Sequence, residues 1–272
     1  MPRVADAFYV PLEADPSRTG EETGERFRST GHTAGPWHAR DQHAGPPAAL
    51  LARAVERCAP RPDTLVARVS VDLLGPVPVA DVSVGARVLR PGRAVELVEA
   101  ELSGPDGRVV ARMTAWRIAT APSGVEPAAG EPAPLPVPAP QPFSLEPGWL
   151  PGYLQAVDWR WAEGHFLAPG PATVWTRLRH PLVAGEEPTG LQRLLAVADS
   201  GSGVSGVLDL REWLFVNPEL TVHVARRVEG EWVCMRARTQ LTPGGVGLAT
   251  SVLYDERGEV GRGAQALLVR PR

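Results

Sequence analysis

Asp199 is the residue of this sequence that most directly suggests chemistry. It ends the apolar run LLAVAD (194–199) and precedes a glycine-rich stretch, Gly201 to Gly206. A carboxylate held in partly apolar surroundings can serve as a general base, and neighbouring glycines let a ligand approach closely. The pattern alone also fits a solvated helix C-terminus, which is the commoner role of an acid at such a position.

The glycine-rich stretch itself, GSGVSG, matches G-x-G-x-x-G letter for letter. That motif binds dinucleotides when it follows a strand and opens a helix, whereas here it follows a predicted helix. We therefore predict a flexible, glycine-rich helix exit. The nucleophile elbow of serine hydrolases, G-x-S-x-G, does not occur in the sequence.

Metal and thiol chemistry have no clear signature. The histidines show neither H-E-x-x-H nor paired Cys/His spacing, so no metal site is predicted; they are His32, His38, His43, His165, His180 and His223. Cys58 and Cys234 lie in apolar segments, which raise the pKa of a thiol and favour inert, reduced cysteines in a cytoplasmic protein. A disulfide joining them is the alternative.

The elements that must position these residues occur twice in the same order. The first half has a predicted helix, Ala44 to Cys58, and then four strands: Val66 to Leu73, Asp81 to Arg90, Ala94 to Ser103 and Val109 to Ala119. The second half has a strand, a helix and four more strands: Thr173 to Leu178, Leu191 to Asp199, Leu220 to Arg226, Trp232 to Leu241, Val246 to Tyr254 and Gly261 to Arg270. This repeat predicts an α+β fold; two unrelated α+β domains are the alternative.

A proline-rich segment separates the two copies. Residues 119–147 carry proline at nearly every second or third position of PAPLPVPAPQP, which sustains neither helix nor central strand. We therefore predict an N-terminal domain at 1–118, an extended linker at 119–147 and a C-terminal domain at 148–272.

Composition excludes several classes of protein. With 272 residues and a net charge of -3, the chain offers no basic field for a nucleic acid. It contains no lysine, which excludes a Schiff base and a P-loop lysine. No apolar run approaches the length of a membrane span, so we expect a cytoplasmic protein, with a closed homo-oligomer as the default assembly.

Several segments resemble one family, the thioesterase-like proteins of the acyl-CoA thioesterase II type, in their actinobacterial form. In the first half they are TAGPWHARDQHAGPPAALLARA (33–54), VDLLGPVPV (71–79) and RPGRAVELVEAEL (90–102). In the second half they are PLVAGEEPTGLQRLLAVADSGSG (181–203), FVNPELTVHVAR (215–226) and LYDERGEVGRGAQALLVR (253–270). The resemblance implies a double hotdog fold, with two antiparallel sheets that each wrap around a long helix.

The resemblance also implies a catalytic trio in the second half. Asp199 matches the helix acid of the family, Gln265 matches the glutamine of the last strand, and Asn217 stands where the better-known enzymes have threonine. The implied reaction is hydrolysis of a fatty or related acyl-CoA without metal or cofactor. Asp199 would take a proton from a water that Asn217 and Gln265 orient, and backbone N–H groups near a helix N-terminus would bind the developing oxyanion.

The two halves are not chemically equal in the sequence. Aligned through Asp106-Gly107 and Arg257-Gly258, Gln265 falls on Thr114. Aligned through Gly75-Pro76 and Asn217-Pro218, Asn217 falls on Gly75. The first helix has Arg53 near the register of Asp199, so we predict one site per chain, in the second half. His43 and Gly45 of the first helix are predicted to line its substrate tunnel.

Two other functions stay open. A non-catalytic protein that binds acyl-CoA or an acyl carrier would account for the departure at Asn217. Hydration of enoyl-CoA, as in some hotdog proteins, uses an aspartate with a histidine on a neighbouring loop. No histidine follows Asp199 before His223, so hydration ranks below hydrolysis.

Overall fold

The computed structural model of the protein describes residues 6–13, 24–36, 38–120, 124, 136–142, 152–166 and 168–272. Four helices lie within these residues: α1 (Gly45–Arg57), α2 (Tyr153–Ala156), α3 (Gly190–Ala198) and α4 (Gly201–Val204). The strands of the first half are β1 (Tyr9–Pro11), β2 (Glu25–Ser29), β3 (Thr64–Leu73), β4 (Asp81–Arg90), β5 (Val95–Ser103) and β6 (Val109–Ala119). Those of the second half are β7 (Val157–His165), β8 (Ala168–Leu178), β9 (Trp213–Val216), β10 (Glu219–Val224), β11 (Val233–Leu241), β12 (Val246–Asp255) and β13 (Gly258–Pro271).

The described strands form one antiparallel sheet. Its order is β1-β2-β4-β5-β6-β3-β10-β13-β12-β11-β8-β7, and β9 also pairs with β13. The two predicted antiparallel sheets are therefore joined into one, because β3 and β10 pair edge to edge. Each of these strands would otherwise expose unpaired backbone N–H and C=O groups.

The order of strands is the same in both halves when it is followed outward from the β3–β10 pair. One half runs β3, β6, β5, β4, β2, β1, and the other runs β10, β13, β12, β11, β8, β7. At the centre, Ser70 pairs with Thr221, and their hydroxyl oxygens lie 3.0 Å apart. This order agrees with the predicted repeat.

The register of the strands corrects the alignment made from the sequence. Gln265 and Ala115 both face the core, whereas Thr114 lies on the opposite face of β6. A one-residue shift exchanges the faces of a strand, so Ala115, not Thr114, is the counterpart of Gln265. The same correction applies to Asn217. The pairing of β9 with β13 corresponds to that of β3 with β6, and in this correspondence Asn217 matches Val66 rather than Gly75.

The two long helices pack against each other and against the sheet. Helix α1 contacts β4, β5 and β6, while α3 contacts β8, β11 and β12. Gly45 lies where the helices are closest, and a Cβ at this position would overlap the carbonyl oxygen of Ala196. Thr189 caps α3 by accepting a hydrogen bond from the N–H of Gln192 at 3.2 Å. One main apolar core extends through both halves.

Two predictions about loops have different outcomes. The glycine-rich stretch is not a flexible helix exit, because Gly201–Val204 form α4 and most of its residues are buried. The predicted linker lies mostly outside the described residues. Of its described residues, 136–142 lie alongside β7, where the side chain of Gln141 accepts from the N–H of Trp161 at 2.9 Å and donates to its carbonyl at 2.8 Å.

Candidate active site

Asp199 lies at the C-terminal cap of α3, where the chain turns before α4. Its side chain is 6% exposed. An ionised carboxylate this deeply buried must be compensated by hydrogen bonds or by a charge. The groups that compensate it define the site.

Two carboxamides donate hydrogen bonds to one oxygen of this carboxylate. Asn217, between β9 and β10, donates from Nδ2 to Oδ1 of Asp199 at 2.7 Å. Gln265, on β13, donates from Nε2 to the same oxygen at 3.1 Å. The structure thus brings together the three residues that the sequence proposed as a trio. These are charge-assisted hydrogen bonds, which are stronger than neutral ones.

Gln265 also connects the two helices at the turn. Its Nε2 donates to the backbone carbonyl of Asp199 at 2.9 Å, and its Oε1 accepts from the N–H of Ser202 at 3.1 Å. These are backbone groups that the end of α3 and the start of α4 leave without helical partners. Gln265 therefore fixes both the carboxylate and the backbone that carries it.

The amide hydrogens of both residues are already used. Asn217 gives its second N–H to the carbonyl of Glu219 at 3.1 Å, and Gln265 gives both of its own to Asp199. Reversing either amide would place its oxygen against the carboxylate, which supports this assignment. Direct donation from these amides to a water, as the sequence suggested, would require breaking one of these bonds.

His43 lies beside the other carboxylate oxygen. Its Nδ1 is 3.5 Å from Oδ2 of Asp199 and accepts a hydrogen bond from the N–H of Gly45 at 3.0 Å. Burial lowers the pKa of His43 below its usual value, although the charge of Asp199 opposes this shift. A neutral ring that accepts at Nδ1 carries its proton on Nε2. The two side chains are thus adjacent but do not form an ion pair.

Tyr153, on α2, holds His43 in place and was not identified from the sequence. The two rings stack with centroids 3.8 Å apart and planes 9° from parallel. The Tyr153 hydroxyl lies 2.8 Å from Oγ of Ser200 and 3.0 Å from the carbonyl oxygen of Ala196. Burial raises the pKa of Tyr153 well above its usual value, so this phenol stays protonated. No motif surrounds it, and only the fold brings it to α3.

Gly45 has a different role from the predicted one. The sequence placed it in the wall of a substrate tunnel, whereas in the structure it is fully buried at the crossing of α1 and α3. Its contribution to the site is the N–H that fixes the tautomer of His43. His43 itself retains 13% exposure of its side chain and can still meet a ligand.

The two thiols and two surface cavities lie elsewhere. Cys58 and Cys234 are both free; burial raises the pKa of Cys58 and raises that of Cys234 to about 12. Neither is therefore an activated nucleophile. Cavities of about 600 and 450 Å³ open at the surface, but none of their described lining residues belongs to the Asp199 site. Among the described residues, no helix is long and apolar enough to span a membrane.

Solved structures with the same fold have hot dog architecture. A protein with a hot dog fold from Alicyclobacillus acidocaldarius superposes with a TM-score of 0.70 at 17% identity, covering 93% of this chain and 95% of that one. A proposed thioesterase II from Thermobifida fusca YX gives 0.70 at 21% identity, covering 93% and 94%. An acyl-CoA thioesterase II, TesB2, from Mycobacterium marinum gives 0.64 at 19% identity, covering 91% and 92%. These similarities define the class of fold.

The family follows from models that match both halves of the sequence. Residues 33–118 match the acyl-CoA thioesterase N-terminal domain, and residues 127–269 match the acyl-CoA thioesterase C-terminal domain. The chain therefore belongs to the acyl-CoA thioesterase family. No curated protein matches it significantly.

Proposed function

We propose that this protein hydrolyses the thioester of a fatty or related acyl-CoA, with water activated by Asp199. The observation that carries the proposal is the asymmetry of the carboxylate. Oδ1 accepts two amide hydrogen bonds, whereas Oδ2 accepts none from the described residues. A fixed carboxylate with one oxygen available can bind a water and accept its proton.

The reaction then needs no covalent enzyme intermediate. Water transfers a proton to Oδ2 of Asp199 as its oxygen attacks the thioester carbonyl carbon. The tetrahedral intermediate collapses with cleavage of the C–S bond, and the leaving CoA thiolate takes the proton from Asp199. Asn217 and Gln265 act as positioning residues, because their N–H groups hold the carboxylate rather than the water.

His43 is our candidate for binding the developing oxyanion. The sequence suggested backbone N–H groups of a helix N-terminus, but Pro46 and Pro47 in the first turn of α1 have none. The N–H of Gly45 is given to His43. The ring of the neutral His43 lies beside Asp199, and its Nε2–H is a donor that the described residues do not use. A preorganised donor near the reacting carbonyl would stabilise the developing negative charge.

The proposal keeps the predicted organisation of the chain. Residues 1–118 and 148–272 would be the two domains, connected by 119–147. The second would carry the single site, while the first would contribute His43. The substrate would be acyl-CoA, and no step requires a metal or an organic cofactor.

Asp199→Asn tests the proposal, because it keeps the shape of the side chain but removes the base. We expect hydrolysis to fall by roughly 10²–10⁴-fold. The assay is release of free CoA, detected with a thiol reagent over a series of acyl chain lengths. Asp209→Asn is the matched control, since Asp209 is exposed and bonds only local groups of its own turn.

The outcomes distinguish the alternatives. Full activity of a folded Asp199→Asn variant would remove Asp199 from the mechanism. Binding of long-chain acyl-CoA by the wild type with no release of CoA would favour the non-catalytic binding protein.

Hydration of enoyl-CoA is a second candidate, and the contact between His43 and Asp199 favours it. The sequence offered no histidine after Asp199 until His223, which lies exposed on β10. The fold instead supplies His43 from the other half. Loss of the conjugated enoyl absorbance without release of CoA would identify hydration.

A further inference from the structure

A second cluster of polar side chains lies outside the Asp199 site. It contains Asp6, just before β1, His32 in the 3₁₀ turn Gly31–Thr33, and His180, just after β8. Oδ1 of Asp6 lies 3.5 Å from Nδ1 of His180 and 4.0 Å from Nε2 of His32. One ligand atom from each of the three residues lies within 4.8 Å of the others.

We propose that Asp6, His32 and His180 bind a divalent transition-metal ion. Two imidazole nitrogens and one carboxylate oxygen form a donor set that suits zinc and its neighbours in the first row. In a tetrahedral zinc site the ligand atoms are about 3.3 Å apart, given bonds of about 2.0–2.1 Å. The observed spacings of 3.5 and 4.0 Å are therefore close to what such an ion requires.

The local structure already holds the two rings together. His32 and His180 stack with centroids 4.0 Å apart and planes 19° from parallel. Each imidazole binds a metal ion in its own ring plane, so one ring must rotate about its Cβ–Cγ bond before both nitrogens can bind the same ion. The edge of Phe8 also packs against the ring of His32, with centroids 6.3 Å apart.

Backbone hydrogen bonds fix the three segments relative to one another. Phe8 donates to the carbonyl of Pro181 at 3.1 Å, and Thr30 donates to the carbonyl of Phe8 at 3.0 Å. The ligands are thus presented by a framework that the fold builds without the ion. The side chains are 73% exposed for Asp6, 29% for His32 and 22% for His180, so an ion can enter and keep water in its open positions.

A bound ion would join the two halves of the chain. Asp6 and His32 belong to the first half and His180 to the second, and an ion that binds only the folded state raises its stability. The turn that carries His32 also supports the Asp199 site. The carbonyl of Thr33 accepts from the N–H of His43 at 2.8 Å, and that of Ala34 accepts from Tyr153 at 3.0 Å.

The test uses the full chain without a histidine tag, stripped with chelator and dialysed. We expect one equivalent of Co²⁺ to bind with a visible absorption spectrum that Zn²⁺ abolishes by competition, and Zn²⁺ to raise Tm. His180→Ala should weaken Zn²⁺ binding by about 100-fold or more, since partners outside the ligand set alone contribute about 10–100-fold. Asp6→Asn, a change at an exposed side chain, should also weaken binding while leaving the fold intact.

His38→Ala is the matched control. His38 lies 3.6 Å from Asp41 on the surface, which provides a histidine–aspartate pair without the second histidine. Its loss should leave Zn²⁺ affinity unchanged. The proposal is overturned if the wild type binds Zn²⁺ only at millimolar concentrations, or if the His180 and His38 variants lose affinity equally.

Discussion

The two halves place the same backbone around chemically different side chains. In the second half, Gln265 and Asn217 direct amides at Asp199. In the first half, the residues that correspond to Gln265 and Asn217 are Ala115 and Val66, whose side chains have no polar group. One copy of the repeat therefore builds a polar site where the other continues the apolar core.

The first half also buries a charge, but it satisfies that charge fully. Arg53 on α1 is 2% exposed and forms two hydrogen bonds with Glu25 and two with Glu186. These bonds raise the pKa of Arg53 further above its usual value, despite the opposing effect of burial. Two carboxylates thus neutralise the guanidinium, so we assign Arg53 a structural role.

Asp199 differs because its compensation is incomplete. Two hydrogen bonds converge on Oδ1, and Oδ2 has only His43 nearby at 3.5 Å. A buried group with unused hydrogen-bonding capacity is a candidate for chemistry, whereas a saturated one is a candidate for stability. The comparison therefore teaches that burial alone does not mark the site.

Asn217→Val would make the second half resemble the first at this position. The change removes a hydrogen bond to a charged group, which is worth about 1.5–3 kcal/mol. We expect kcat/KM for acyl-CoA to fall by roughly 10–100-fold. Asn217→Thr is the matched partner, because valine and threonine have nearly the same shape and differ by a hydroxyl.

We expect Asn217→Thr to keep kcat/KM within about tenfold of the wild type, since the hydroxyl can still donate to Oδ1 of Asp199. Equal losses in the Val and Thr variants would show that the hydrogen bond to Asp199 is not what the reaction needs.

Arg53→Met tests the structural side of the comparison. Removing the guanidinium takes away a hydrogen-bond partner of the Glu25 and Glu186 carboxylates. Because both carboxylates are partly exposed to water, the loss is only moderate. The free energy of unfolding should fall by about 2 kcal/mol, less than for a fully buried pair. Urea denaturation measures this change, and the rate of hydrolysis per folded molecule should stay the same.

Arg57→Met on the same helix is the control for Arg53. Arg57 is 54% exposed and lies 3.1 Å from Glu186. Its loss should cost less than about 1 kcal/mol, as for other exposed pairs. A comparable loss of stability in both variants would contradict the role assigned to Arg53.

The smallest effect concerns pH. Burial lowers the pKa of His43 in the folded state, so the unfolded chain binds a proton there more readily. The stability that depends on neutral His43 is complete above its unfolded pKa of about 6.5 and is lost as pH falls toward its folded pKa.

His43→Asn keeps an acceptor for the N–H of Gly45 but does not titrate. Urea denaturation above and below pH 6.5 should show a smaller loss in this variant; equal slopes would assign the pH dependence to other groups.

Much of the regular structure could be predicted from the sequence. The bounds of β4 and β6 were predicted correctly, and those of α3 were displaced by one residue. Their alternating or helical apolar patterns lie between clear turn signals. Four strands, β1, β2, β7 and β9, were missed. β1, β2 and β9 have only three, five and four residues, and the nine-residue β7 follows a proline-rich segment and contains two tryptophans.

The register shows where sequence reasoning fails. The break between β9 and β10 and the irregularity in β3 between Val66 and Arg68 shift the pairing by one residue. Such an irregularity has no strong local signature but redirects a side chain to the other face. Asn217 lies in the break between β9 and β10, where its side chain donates to Asp199.

The sequence by itself determined the repeat and the resemblance that pointed to Asp199, Asn217 and Gln265, because periodicity and motifs are local properties. Only the tertiary structure decided that the amides hold the carboxylate, and that His43 and Tyr153 join it from distant segments. It alone brought Asp6, His32 and His180 together. These contacts depend on how helices and strands pack, and packing joins residues whose separation along the chain leaves no pattern to read.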